Sequence, residues 1–223
     1  MNIVQTSVKV DYMAKTETAD PRPTAWGDAE GRRRDILASA ERLIEESGYT
    51  ALTTRGIASG AGVSSGTVYQ YFGGKEDVFV ALTARRLEDI QQTLSEVDIG
   101  IGIAGVLREI LPPIIELWRR LGRSAPQWEA KVLAGGRRSK GVATSASVYR
   151  NTLKALVKTL RATAQEHGQT LIDDPALAHW VWDALIGVAD GLLLGGSRQG
   201  RIRPERMINF ATDALERSIV AAD

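Results

Sequence analysis

The sequence predicts an all-α protein. Apolar residues recur at helical spacing from Arg32 onward, residues that end or cap helices stand between those runs, and Val, Ile and Thr never fall into the alternating runs with paired turns that strands require. The chain has 223 residues, 43% of them hydrophobic and 25% charged, enough for one large domain or two smaller ones.

Residues 1–30 mix polar side chains with Pro21, Pro23 and Gly27, show no sustained period, and read as a flexible leader. From Arg32 the residues Ile36, Leu37, Ala40, Leu43 and Ile44 trace a first amphipathic helix, with Gly48 as its left-handed terminator. Short helices are expected near 54–61 and 65–72, then a longer one from Lys75 to about Ser95. Further helices are expected near 104–122, 126–134, 144–167, 174–195 and 204–221, the first of them kinked by Pro112 and Pro113. The natural division puts a three-helix unit at 31–78 and a larger helical body at 79–223, with the long fourth helix shared between them.

Composition narrows the chemistry. Net charge is only +1, so nucleic-acid binding has to come from a local surface rather than a molecule-wide field. Absent cysteine removes disulfides and thiolate sites, and His167 and His179 match no zinc spacing, so neither a metal nor a cofactor is expected. There is no signal-peptide pattern, and the most apolar stretch, Val181 to Leu194, is short and broken by Asp183 and Asp190. A cytoplasmic protein without a membrane span is expected.

Residues 53–72 carry a helix-turn-helix pattern. The Thr53 hydroxyl is placed to cap the segment from Thr54, Gly62 supplies the turn, and Ser64 caps the segment from Ser65. Ala58 is small enough for a close crossing, and Val63 plugs the corner. Ile57, Val68 and Phe72 face a small core, which leaves Ser65, Gly66, Thr67 and Tyr69 outward, with Gln70 or Tyr71 beside them. By helical phase Tyr71 fits an inward position equally well.

The run Leu52-Thr53-Thr54-Arg55, Ile57-Ala58, Ala61-Gly62-Val63-Ser64, Gly66-Thr67-Val68-Tyr69, Tyr71-Phe72 and Lys75-Glu76 resembles the DNA-binding domain of TetR-family transcriptional regulators. The likeness covers roughly residues 32–82. It implies that Thr54, Arg55, Ser65, Gly66, Thr67, Tyr69 and Tyr71 meet a double-stranded operator, with Lys75 gripping a phosphate. Tyr69 suits a phosphate and sugar, and the Thr67 methyl suits thymine. Gly56, Gly60, Gly73 and Gly74 depart from the usual pattern, and a glycine inside a helix costs about 0.5–1 kcal/mol relative to alanine. Basic residues between 31 and 86 number eight, while the acids number seven with Glu30 included, so affinity depends on placement and on doubling the head. Arg32, Arg33 and Arg34 read as a solvated run, with phosphate contact the alternative.

The resemblance also implies a homodimer formed by the last two helices and a small-molecule pocket in the body. Gly187, Gly191 and Gly195 recur every fourth residue, a stripe that admits another helix closely, either from a second copy or from the same chain. Phe210 and Leu215 are the matching apolar candidates on the final helix. Candidate ligand residues are Leu111, Trp118, Trp128, Tyr149, Leu153, Trp182 and Asp183, although aromatics at helical spacing also build ordinary cores. Asp183 and Asp190 fit a polar ligand group, a cross-dimer bond or a solvated position. A mainly apolar effector follows.

Other functions find less support. Gly100, Gly102 and Gly105 form G-x-G-x-x-G, but helical patterns flank it on both sides where a dinucleotide site needs strands. Residues 135–141 read as a basic loop rather than a phosphate nest. A non-enzymatic, ligand-responsive repressor of a palindromic operator is the expectation. A protein that keeps this fold but has lost DNA readout is the alternative.

Overall fold

A computed structural model describes residues 28–122, 140–198 and 202–221. Among them are eight α-helices: α1 (Ala29–Ala51), α2 (Thr54–Gly60), α3 (Ser65–Tyr71), α4 (Lys75–Glu96), α5 (Gly102–Arg120), α6 (Lys140–Glu166), α7 (Leu177–Arg198) and α8 (Pro204–Ile219). A single 3-10 turn at Ile99–Ile101 leads into α5. The described residues contain no named strand, only an isolated bridge between Leu171 and Val220 that ties the end of α8 to the α6–α7 loop. The expected helix near 126–134 lies outside the described residues, as does most of the basic segment 135–141, of which Lys140 and Gly141 begin α6.

Local signals explain where the first elements begin and end. Asp28 caps α1 by accepting from the Gly31 amide at 2.7 Å. Gly48 takes φ 74°, the left-handed turn predicted for it, and one further turn follows before Leu52 turns extended. α1, α2 and α3 enclose Ile36, Ala40, Ile44, Leu52, Ile57 and Val68, all buried, and α4 closes this small core with Val78, Phe79 and Leu82.

The same α4 then enters the body. It packs along α6, where the Gln91 amide donates to Thr152 Oγ1 at 2.9 Å and Thr159 Oγ1 donates to the Leu94 carbonyl at 3.2 Å. α5 lies among α4, α7 and α8 and buries Ile103, Leu107, Ile110, Leu111 and Ile114 completely or nearly so. It continues as one helix through Pro112 and Pro113. The two prolines still remove two backbone donors, so the carbonyls of Arg108 and Glu109 lose their helical partners.

α7 is longer than the apolar stretch read from the sequence: its Leu177–Leu194 window, with mean hydropathy 1.4, is long and apolar enough by composition alone to cross a membrane. Its Leu177, Val181, Trp182, Leu185 and Ala189 are buried in the helical body.

Candidate nucleic-acid interface and its supports

Two caps and a turn orient the head. Thr53 Oγ1 accepts from the Gly56 amide at 3.0 Å and starts α2. Gly62, at φ 67°, reverses the chain, and the Val63 amide donates to the Ala58 carbonyl at 3.0 Å across the corner. Ser64 Oγ then accepts from the Thr67 amide at 3.0 Å and pairs with Thr67 Oγ1 at 2.9 Å, which fixes the first turn of α3.

Val68 and Phe72 pin α3 from behind. On its other side Gly66, Tyr69 and Gln70 are exposed, Tyr69 by 58%, while Ser65 and Thr67 are half-buried at the opening turn. Arg55 is exposed and Thr54 half-buried at the start of α2. Six of the eight predicted contact residues therefore lie at the start of α2 or on the open part of α3. Tyr71 is half-buried, as Ser65 and Thr67 are, and packs against the core at the last turn of α3.

Lys75 is held differently. Its ammonium donates to the Leu52 carbonyl at 2.5 Å and sits 5.0 Å from the Tyr49 ring centroid, an internal cation–π contact that clips α4 onto the end of α1. Tyr49 was not foreseen from the sequence. Its ring packs edge-on against Phe79 at 4.9 Å, and burial followed by the Glu76 charge pushes its hydroxyl pKa up to about 12. Within the arginine run, Arg33 is exposed, as expected, and its guanidinium also lies 5.4 Å from the Phe72 ring centroid.

One of the unusual glycines, Gly60, has a packing reason. A Cβ on Gly60 would meet Ser39 Oγ at 2.3 Å, so a side chain there would push that hydroxyl off the Ile57 carbonyl. Arg42 fastens the same corner by donating to the Gly60 carbonyl at 3.0 Å.

Ion pairs join the head to the body. Arg120, on the last turn of α5, lies 2.6 Å from Glu45 and 3.3 Å from Glu41, both on α1, and also bonds Glu116. Arg119 donates twice to Glu116, each at 2.9 Å, and Glu41 pairs with Arg86 of α4. The Arg119 hydrogen bonds, opposed by burial and aided by Arg120, hold the Glu116 carboxyl at about 2.

Of the predicted ligand residues, Tyr149, Trp182 and Asp183 come together. Leu111 is sealed in the core, and Trp182, also buried, meets Tyr149 edge-on at 5.7 Å. Burial, then the Asp183 charge, raises the Tyr149 pKa. Trp118 donates its indole N–H to Asp190 at 2.9 Å, so Asp190 has a partner within its own chain. Asp183 is exposed, and Trp128 lies outside the described residues. Of the set, only Leu153 lines a groove of about 730 Å³ between α6 and α7, whose apolar Val157, Leu177 and Ala178 are flanked by Arg150, Lys154, Lys158 and Arg161. Those cations recur every three or four residues on α6, a periodicity that an eye for aromatics passes over.

The glycine stripe is open. Gly187 and Gly191 are exposed with no heavy atom within 4 Å of an added Cβ, so no part of the described chain packs on them. Gly195 continues the same helix. Phe210 is 68% exposed and Trp180 54%, flanking the stripe from α8 and α7. Leu215 is a correction: at 6% exposure it belongs to the chain's own core and offers a partner little surface. Gly100 lies in the 3-10 turn before α5 and Gly102 and Gly105 in its first turn, with no strand beside them among the described residues, so the geometry of a dinucleotide site is missing there.

A capped, exposed second helix on a helical body defines a helix-turn-helix protein. Residues 36–82 match the family described as bacterial regulatory proteins, tetR family. A transcriptional repressor, AcnR of Corynebacterium efficiens, is 31% identical over 44% of this chain and 55% of its own. The chain spans 28–55% of the length of the first curated relatives it matches. An uncharacterised helix-turn-helix transcriptional regulator of Mycobacterium bovis is 29% identical over 78% of this chain and 81% of its own. The crystal structure of LfrR from Mycobacterium smegmatis, a TetR-like transcriptional regulator in complex with proflavine, superposes with TM-score 0.59 over 86% of this chain and 98% of its own at 18% identity. Residues 36–82 thus carry the helix-turn-helix of the tetR family, the relatives that match there are named as transcriptional regulators, and the rest of the chain shares the fold of TetR-family structures.

Proposed function

We propose that this protein is a repressor that reads a palindromic operator as a homodimer and releases it on binding a small effector. The observation that carries the reading is the outer face of α3: Gly66, Tyr69 and Gln70 stand open on a helix whose start is fixed by Ser64 and whose back is fixed by Val68. Doubling the head compensates for its near-neutral charge, and the open stripe of Gly187 and Gly191 beside Trp180 and Phe210 supplies a surface for the second copy. Thr54, Arg55, Ser65, Thr67 and Tyr69 carry the DNA contacts, while Lys75 acts mainly by setting α4 against the head.

The groove between α6 and α7 shifts the expected effector from mainly apolar to apolar with an acidic group, the latter suited to Lys154 and Lys158. Release then follows if the effector binds more tightly to a state with a different head separation, by no more than that difference in affinity.

Selection of the full-length protein on a random duplex pool, followed by footprinting at moderate salt, tests the reading. Two protected half-sites about one helical turn apart are expected. Thr67→Ala should relax base preference and Tyr69→Phe should weaken binding on every sequence. Absence of any protected site defeats the proposal, and unchanged binding in both variants defeats the contact map.

A further inference from the structure

Three parts of the molecule meet at the last turn of α5. Trp118 reaches α7 through its bond to Asp190 at 2.9 Å, and its ring lies over Gly122, where an added Cβ would come within 2.2 Å of it. The next two residues face the head. Arg119 lies 3.8 Å from Glu45, and Arg120 lies 2.6 Å from Glu45 and 3.3 Å from Glu41. Glu41 is itself paired with Arg86 on α4, so α1, α4 and α5 are bound at one point.

We propose that this turn sets the angle of the head on the body and that Arg120 is its positioning residue. Through Glu41 and Glu45 it holds α1, and with α1 the recognition helix, against the turn that Trp118 anchors on α7. The inference rests on the dimeric regulator reading above and adds to it the element that fixes the separation of the two heads.

The geometry supports this in three ways. α4 alone would join head to body as a single rod, and the α1–α5 ion pairs are a second tie across that joint, which resists swinging where one helix does not. α1 packs on α2 and α2 on α3, so a rotation of α1 is passed to the recognition helix. Asp190 stands on α7 between Gly187 and Gly191 in sequence, beside the open stripe, so the face proposed for the second copy and the head are anchored to consecutive residues of one turn. The tie is also covered: the Arg120 and Glu41 side chains are only 24% and 16% exposed, so solvent screens them less than an ordinary surface pair.

The chain contains no cysteine, which permits a direct test on the full-length protein. Ser59→Cys places a single nitroxide on the exposed surface of α2, and dipolar spectroscopy reads the distance between the two labels of a dimer. Otherwise wild-type protein should give one narrow distance distribution. Arg120→Gln should at least double its width, and the conservative Arg120→Lys, which keeps a cation against Glu41, Glu45 and Glu116, should narrow it again, which a general loss of stability would not do. Should Arg120→Gln fail to fold, Glu45→Gln removes the same contact from the α1 side and is expected to broaden the distribution likewise. Distributions that superpose on wild type in both Arg120→Gln and Glu45→Gln overturn the inference and leave the regulator reading standing. A labelled wild-type protein with no dipolar signal is not a dimer, and that result sinks both.

Discussion

Ser39 Oγ donates to the Ile57 carbonyl at 2.9 Å, a buried bond that draws α1 onto α2 until a Cβ on Gly60 would lie 2.3 Å from the same hydroxyl. Ser39 and Gly60 are therefore coupled. Gly60→Ala should destabilise the protein by about 1–3 kcal/mol, the usual range for overpacking. Ser39→Ala removes the colliding oxygen and leaves only a 3.4 Å contact with the Ser39 Cβ. In that background Gly60→Ala should instead recover about 0.5–1 kcal/mol through helix propensity. Denaturant unfolding of the four proteins of the cycle checks this, and additive effects would contradict it.

Tyr49 is buried, and its hydroxyl has no hydrogen-bond partner among the described residues. Tyr49→Phe should raise stability at neutral pH by about 1 kcal/mol, since the desolvation penalty of the hydroxyl disappears while the ring contacts with Phe79 and Lys75 stay. The pH dependence has a definite sign. With the folded-state pKa raised from 10 to about 12, Tyr49 is protonated in both states below pH 10, and between pH 10 and 12 it ionises only in the unfolded chain, so folded stability is lost across that window. Melting of the wild type should fall off between pH 10 and 12 more steeply than that of Tyr49→Phe.

Glu116 works at the other end of the scale. With its pKa depressed from 4.5 to about 2, chiefly by Arg119, it contributes stability that is fully present above pH 4.5 and is lost as pH falls toward 2. Acid unfolding of Glu116→Gln should be flatter over that window. An identical pH profile would show that the Arg119–Glu116–Arg120 pairs contribute nothing measurable.

Gly191→Leu tests the open face. No heavy atom lies within 4 Å of the added Cβ, so the folded protomer should tolerate it, with a small gain from replacing a helical glycine. Sedimentation should nevertheless show dimer dissociation at a concentration at least tenfold above that for wild type. Unchanged assembly would place the partner surface elsewhere.

Ser64→Ala removes the cap of the recognition helix and the partner of Thr67 Oγ1 together. A cost of about 1 kcal/mol is expected, with faster amide exchange confined to α3.

The head was legible in the sequence because its instructions are local. Thr53, Ser64, Gly48 and Gly62 act within three or four residues of their own positions, and each does in the structure what its residue type implies. The internal grip on Lys75 was not legible, since it depends on a carbonyl 23 residues earlier. The body defeated sequence reasoning for a related reason. Phe210 and Leu215 both read as apolar positions of one helix, yet one is 68% exposed and the other 6%, because α8 is amphipathic toward its own chain and leaves apolar surface on its outer side as well. Trp118 finds Asp190 across 72 residues and Arg120 finds Glu45 across the head–body joint, contacts that no periodicity encodes.

Footprinting of the full-length protein on duplexes selected from a random pool tests the central claim most directly. Two protected half-sites related by a dyad and centred roughly 34–36 Å apart are predicted, lost together when Gly191→Leu breaks the dimer. A single protected half-site that survives Gly191→Leu, or no protection at moderate salt, would contradict a dimeric operator-binding repressor.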